Sequence, residues 1–227
     1  MKTKNQYLGK NQFIVAPHII KFDGLDNNFD LKIKRKNYPQ KNIYTLRNLL
    51  TVQECQNLIH TAQKLGFQQA GLATSQDHYR IKEKTRNNKR VIFEDKALAN
   101  TLWNRIAHLV DPKFQNHKAY GLNWRFRIYE YRKGNIFAPH VDERMQLPGK
   151  NLTTLFTFMI YLNENLEGGE TTFFDRRKSG SKKLVINRSI KPKTGMALAF
   201  DHLLFHEGSI IKKGIKYSLR SDIVYQK

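Results

Sequence analysis

From Trp124 onward the chain is cut by glycine into short stretches of strand period, and this texture limits the folds open to it. Trp124, Phe126 and Ile128 alternate with Arg125, Arg127 and Tyr129, so one face is apolar and the other polar or aromatic. Further strand-like stretches cover 153–162, 170–174, 184–190, 196–200 and 215–225. Gly134, Gly149, Gly168-Gly169, Gly180, Gly195 and Gly214 punctuate them. Many short strands bury their apolar faces only in stacked sheets or a barrel. Helical period is confined to the preceding segment. Thr51-Val-Gln-Glu54 has the form of a capping box, which satisfies orphan donors at a helix start. Cys55, Leu58, Ile59, Ala62 and Leu65 then form one apolar stripe, and Gly66 is a natural stop. A second helix is expected from about Glu94 to Val110, with Leu98, Leu102, Ile106 and Leu109 buried and Trp103 beside them. The expected organisation is a basic extension over 1–45, with one strand at 13–15, followed by a domain over 46–227. Within that domain 46–112 gives helical support and 113–227 the β core. No internal repeat is visible.

At 227 residues the chain can bury roughly 70–75% of its unfolded surface, so its core needs no staples. A net charge of +21 accompanies 40% hydrophobic and 11% aromatic residues, which excludes a disordered basic tail. Cys55 is the only cysteine, so a disulfide framework and a Cys-based zinc cluster are excluded. No apolar run of about 18 residues spans a membrane. Met1 to Lys21 lacks the apolar core of a secretion signal, and the expected location is cytoplasmic. Basic residues gather over 1–50 and again over 176–193, where Arg176, Arg177, Lys178, Lys182, Lys183, Arg188, Lys191 and Lys193 meet no acid. Such surfaces attract nucleic acid, acidic protein or an anionic membrane face, unless they are simply solvated. Residues 71–91 are polar and turn-rich and read as a surface loop. The part over 75–91, with Arg80, Lys82, Lys84, Arg86, Lys89 and Arg90, is expected to act as a lid recruiting an acidic partner.

Within the β region stands His140-Val-Asp142, and His206 follows the apolar stretch 196–200. Residues i and i+2 of a strand share a face, so both side chains of the first pair can point inward. Two neutral imidazoles and a carboxylate form a facial triad for Fe(II) that leaves three positions open. His-x-Asp alone is a weak motif in a chain with eight histidines.

The surroundings add specificity. Tyr131-Arg-Lys-Gly134 precedes Pro139-His140-Val-Asp142; Ile160-Tyr161-Leu-Asn163, Glu167-Gly-Gly-Glu170-Thr171 and Pro192-x-x-Gly195-Met-Ala-Leu198 follow in order. His206-Glu-Gly208 comes next, then Lys216 ten residues after His206, and Leu219-Arg220-Ser-Asp222. Over about 120–227 this series resembles the Fe(II)- and 2-oxoglutarate-dependent dioxygenases of the prolyl 4-hydroxylase-like branch. The resemblance implies a double-stranded β-helix, or jelly roll, with helices packed on one side. It implies that His140, Asp142 and His206 hold Fe(II), and that Lys216 pairs with the distal carboxylate of 2-oxoglutarate in a pocket lined by Tyr131 and Tyr161. His202 lacks the family's context and is expected outside the ligand set. O₂ is the second co-substrate and ascorbate a candidate reductant. The implied reaction is hydroxylation of an unactivated C–H bond, a prolyl residue of a protein or peptide by family, with Arg86, Arg90, Trp124 and Arg127 as candidate substrate-side residues. Two alternatives stay open. A nucleic-acid dealkylating oxygenase would suit the charge, although Lys216-Tyr-Ser-Leu-Arg220 does not match that group's Arg-x-Asn pattern. A non-enzymatic RNA- or ribosome-binding module on the same barrel would not need the intact triad. Lys216, Ser218 and Arg220 share one strand face, so parity alone does not choose the anchoring cation. The ten-residue step selects Lys216. Oligomeric state is open.

Overall fold

Two capped helices set the frame of the computed structural model, which describes residues 6–9, 12–26, 32–39, 42–75, 78–148, 151–175 and 184–227. Thr51 Oγ1 accepts from the Glu54 N–H at 3.1 Å, and the Glu54 carboxylate accepts from the Thr51 N–H at 2.8 Å. This box starts helix α1, Val52–Leu65, which buries Cys55, Leu58 and Ala62 and stops at Gly66. Asp95 caps helix α2, Lys96–Ile106, by accepting from the Leu98 N–H at 2.9 Å. This helix is shorter than the 94–110 expected. Glu94 ends a strand, and the last residues tighten into a 3₁₀ turn over Ala107–Leu109.

Ten strands carry the rest of the architecture: β1 (Ile43–Arg47), β2 (Lys89–Glu94), β3 (Arg125–Arg132), β4 (Phe137–His140), β5 (Leu152–Tyr161), β6 (Thr171–Asp175), β7 (Val185–Ile190), β8 (Ala197–Asp201), β9 (His206–Gly208) and β10 (Ile215–Gln226). The large sheet runs β2-β3-β10-β5-β8-β1, and the small sheet runs β4-β9-β6-β7. From β3 onward the chain passes back and forth between the two sheets, with every neighbouring pair among β3–β10 antiparallel. This is the jelly roll.

Period-2 alternation sorts the large sheet into two faces. Phe126, Ile128, Phe156, Phe158, Leu219 and Ile223 pack outward against the helices, with Cys55, Leu58, Leu98 and Leu102. Leu198, Phe200, Phe173 and Tyr161 fill one part of the space between the sheets. Among the other inward positions, Arg90 on β2, Arg127 on β3 and Lys216, Ser218, Arg220 and Asp222 on β10 are polar, and Ile92, Tyr129 and Tyr131 lie in the same rows.

Two expectations need correction. Residues 71–91 are not a solvated loop. Leu72–Ser75 and His78–Arg80 form a hairpin that pairs with Gln12–Ile14, and β2 lies inside the large sheet. Arg86 and Arg90 are buried, because the aromatic rings of Phe137 and Tyr79 take their guanidinium groups at 4.2 and 3.9 Å. Of the basic residues named over 75–91, Arg86 and Arg90 are thus withdrawn from solvent, while Arg80, Lys82, Lys84 and Lys89 stay exposed. The boundary placed at 45/46 falls within β1, and Lys34–Tyr38 pairs with β1, so both strands belong to the sheet. Residues 176–183 of the basic stretch lie outside the described residues. No helix among the described residues is long and apolar enough to cross a membrane.

Candidate metal and co-substrate site

The small sheet and the loop after β4 bring three side chains together. His140 ends β4 and His206 begins β9, and the two are partners across the ladder with ring centroids 4.3 Å apart. Asp142 lies beyond the end of β4, so strand parity does not aim it. Its N–H donates to the His202 carbonyl at 2.9 Å, which turns the carboxylate toward the histidines. Its two oxygens each stand 3.6 Å from an imidazole nitrogen, Oδ1 from His140 Nε2 and Oδ2 from His206 Nε2. The ligating atoms of all three residues lie within 4.8 Å of one another.

The imidazoles are held in one tautomer. His140 Nδ1 lies 2.8 Å from the Ala138 carbonyl and His206 Nδ1 2.9 Å from the Leu204 carbonyl. A carbonyl only accepts, so each Nδ1 carries the proton and each Nε2 lone pair faces the centre. Burial pushes His206 down to about 4 against the pull of Asp142, which leaves a neutral donor at neutral pH. Burial alone would raise the Asp142 carboxyl, but Arg220 and the histidines hold it well below the usual range. Arg220 Nη1 sits 3.0 Å from Asp142 Oδ1, and the Thr157 hydroxyl donates to Oδ2. Two neutral imidazoles and an ionised carboxylate make a donor set that suits Fe(II) with positions left for other ligands.

Lys216 lies on β10, opposite Tyr131 of β3 and four residues before Arg220. It is buried, its ammonium donates to the Gly169 carbonyl at 2.6 Å, and the rings of Tyr131 and Tyr161 flank it at 5.5 and 5.3 Å. Burial lowers it to about 8 against the opposing charge of Glu170. Gly169 permits this approach: φ is +71°, and a Cβ there would stand 2.5 Å from Ile211 Cδ1 and 3.3 Å from Lys216 Cδ. The Tyr161 hydroxyl is engaged with Thr171 at 2.8 Å, so its ring faces the pocket more freely than its oxygen.

Arg220 goes elsewhere. It bridges Asp142 and Asp222, the latter at 3.4 Å, and so supports the triad. Arg86, Arg90 and Arg127 gather on the inner face beside Tyr129. Trp124 does not join them. It packs on the outward, helix-side core, and Lys96 lies 5.4 Å over its ring. The alternation that makes Phe126 a core residue carries Trp124 to the same face.

Sequence reasoning missed Thr157 and Asp222 as partners of the triad. The signal was parity: Asp222 continues the Lys216, Ser218, Arg220 row, and Thr157 lies opposite it on β5. His202, expected outside the ligand set, is fully buried behind it, with Nε2 3.3 Å from Asp222 Oδ1 and its carbonyl accepting from the Asp142 N–H. Its main-chain contact with Asp142 was not legible from composition.

Residues 126–221 match the family model of the 2OG-Fe(II) oxygenase superfamily. No curated protein sequence matches the chain. Among solved structures, the viral collagen prolyl hydroxylase of Paramecium bursaria Chlorella virus-1 in complex with 2-oxoglutarate is similar at 18% identity and a TM-score of 0.54. That likeness covers 83% of this chain and 97% of the viral one. A Pseudomonas putida prolyl-4-hydroxylase is similar at 14% identity and a TM-score of 0.56, covering 83% and 94%. The Trichoplax adhaerens prolyl hydroxylase, in complex with a hypoxia inducible factor oxygen degradation domain peptide fragment, gives 17% and 0.57, covering 81% and 84%. At these identities the likeness is one of fold.

Proposed function

We propose that this protein, whose residues 126–221 match the family model of the 2OG-Fe(II) oxygenase superfamily, is an oxygenase of that kind and hydroxylates a prolyl residue of a protein or peptide. The observation that carries the reading is the convergence of His140, Asp142 and His206 beside a buried, singly bonded Lys216. The prolyl target is supported by the solved neighbours, three of them prolyl hydroxylases and one holding a peptide.

In this reading His140, Asp142 and His206 hold Fe(II), and Lys216 with Tyr131 and Tyr161 receives 2-oxoglutarate. Bound together, iron and 2-oxoglutarate supply the activation of O₂ that inserts one oxygen atom into a C–H bond. The chain's own residues do the positioning. The carbonyls of Ala138 and Leu204 hold the imidazole protons away from the centre, so both Nε2 atoms stay free to ligate. Arg220 and Thr157 keep Asp142 ionised and fixed in orientation. Lys216 offers a buried cation, with two ammonium donors beyond its bond to Gly169, to a carboxylate that would otherwise be desolvated alone. The tyrosine rings wall that end of the roll from water.

The test is anaerobic titration of the metal-loaded protein with 2-oxoglutarate, followed by succinate release on admitting air. Mass spectrometry of proline-containing peptides then reads the gain of one oxygen. Absence of 2-oxoglutarate binding to the metal-loaded protein overturns the enzyme reading; oxygen gain at a residue other than proline overturns only the target.

A further inference from the structure

Guanidinium groups outnumber carboxylates beside the metal centre. Tyr129 faces the inside of the roll, with Arg90 directly opposite it on β2 and Arg127 two residues before it on β3. Arg220 of β10 is the ladder partner of Arg127, and Arg86 lies 4.8 Å over the Tyr129 ring. Asp142 and Asp222 both turn to Arg220, and Asp222 also stands 3.7 Å from Arg127. Among the described residues neither Arg86 nor Arg90 has an ion pair, although they are 5% and 4% exposed. Arg86 donates to the neutral Asn88 side chain at 2.8 Å. Arg86 Nη2, Arg90 Nη2 and Arg127 Nη1 are buried donors with no hydrogen-bond acceptor.

Buried cations left without anions are costly, and a leucine would serve a merely structural role better. Their field is visible on Tyr129. Burial would raise that phenol, but Arg86, Arg220, Arg127 and Arg90 hold it down at about 8. The cluster also abuts the reaction centre from two sides. Arg127 faces Arg220, which touches Asp142. Arg86 lies 4.2 Å over Phe137, whose ring stacks on His140 at 3.7 Å. A carboxylate accepting from the planar forks would complete these donors, and Lys216 already offers 2-oxoglutarate a separate cation.

We propose that Arg86, Arg90 and Arg127 form a carboxylate-binding subsite beside the metal centre, which selects peptides bearing an acidic residue next to the residue hydroxylated. This rests on the oxygenase reading above and names its substrate class.

The test uses the full chain loaded anaerobically with Fe(II) and 2-oxoglutarate. Three blocked proline peptides, identical except for glutamate, glutamine or phosphoserine beside the proline, are compared by fluorescence anisotropy. The glutamate peptide should bind at least about tenfold more tightly than the glutamine peptide, as charge-assisted pairing predicts. Arg127→Gln and Arg90→Gln should each erase most of that preference while 2-oxoglutarate affinity stays within about twofold. Arg90→Lys, with near-UV circular dichroism to verify the fold, keeps the charge but loses the fork and should recover only part of it. Equal binding of the glutamate and glutamine peptides, or binding of none, overturns the subsite. Loss of 2-oxoglutarate affinity in the variants also overturns it, and tighter binding of the phosphoserine peptide assigns the cluster to phosphate instead. Wild-type protein that binds metal but not 2-oxoglutarate fails the oxygenase reading, a result distinct from all of these.

Discussion

Asp142 and Lys216 mark the two ends of the site, and each answers to a different measurement. Asp142→Asn keeps the volume but removes the charge that Arg220, Thr157 and the two histidines converge on. Fe(II) affinity should fall by more than the roughly 10–100-fold typical of supporting partners, read by anaerobic metal titration. Unchanged metal affinity would remove Asp142 from the ligand set. Lys216 is held at about 8 by burial, below its ordinary value near 10.5. A folded-state lysine lowered in this way costs stability at pH below about 8, and the cost fades as pH rises toward 10.5. Lys216→Met should therefore stabilise the ligand-free protein at pH 7, by up to about 3 kcal/mol, and gain little at pH 10. The same substitution should weaken 2-oxoglutarate binding by about 10²–10³-fold or more, as loss of a buried partner predicts. In the wild type, 2-oxoglutarate affinity should fall as pH rises through about 8, because only the ammonium form pairs with a carboxylate. Calorimetry in buffers of different ionisation enthalpy checks it, since binding above pH 8 should take up a proton.

The two helices matter to the site through the sheet they support. Glu54 closes the Thr51 capping box and also pairs with Arg105 of α2 at 2.7 Å, with both side chains largely buried. Burial would raise the Glu54 carboxyl, but Arg105, Thr51 and Asp26 bring it below its ordinary value. Its contribution is complete above the unfolded-state pKa and is lost as pH falls through the folded one. Thr51→Ala should cost about 1 kcal/mol, the usual value of a cap. Glu54→Ala should cost about 3–5 kcal/mol, because it also leaves Arg105 without its carboxylate. Urea unfolding at pH 7 measures both. Equal costs would show that the interhelical pair adds nothing to the cap.

At the scale of the molecule, β10 holds the large sheet together. It pairs with β3 on one side and β5 on the other, and its outer end also pairs with His117–Leu122. Its inward row supplies Lys216, Arg220 and Asp222. Removal of residues 215–227 should therefore abolish cooperative unfolding, not merely co-substrate binding; circular dichroism on heating decides it. Folding of the intact chain should be slow, on the millisecond to second scale or longer, since β3 and β10 are distant in sequence and closing that loop precedes any reward. Stopped-flow refolding tests this.

The capping box, the two helices and the strands from Trp124 onward were legible in sequence because each rests on local period, whereas His140, Asp142 and His206 were singled out through the family resemblance and not by His-x-Asp alone. Thr51 and Glu54 are three residues apart, and His140 and Asp142 two. The burial of Arg86 and Arg90 was not legible, because a guanidinium reads as solvent-seeking until an aromatic face from another strand covers it. Trp124 carried the opposite error: named as a candidate substrate-side residue, it is turned outward by the pleat. Strand parity placed Lys216 and Arg220 on one face and could go no further. Only the pairing of β10 with β3 and β5 set Lys216 beside Tyr131 and Arg220 against Asp142, because sheet register is fixed by contacts between residues far apart in the chain.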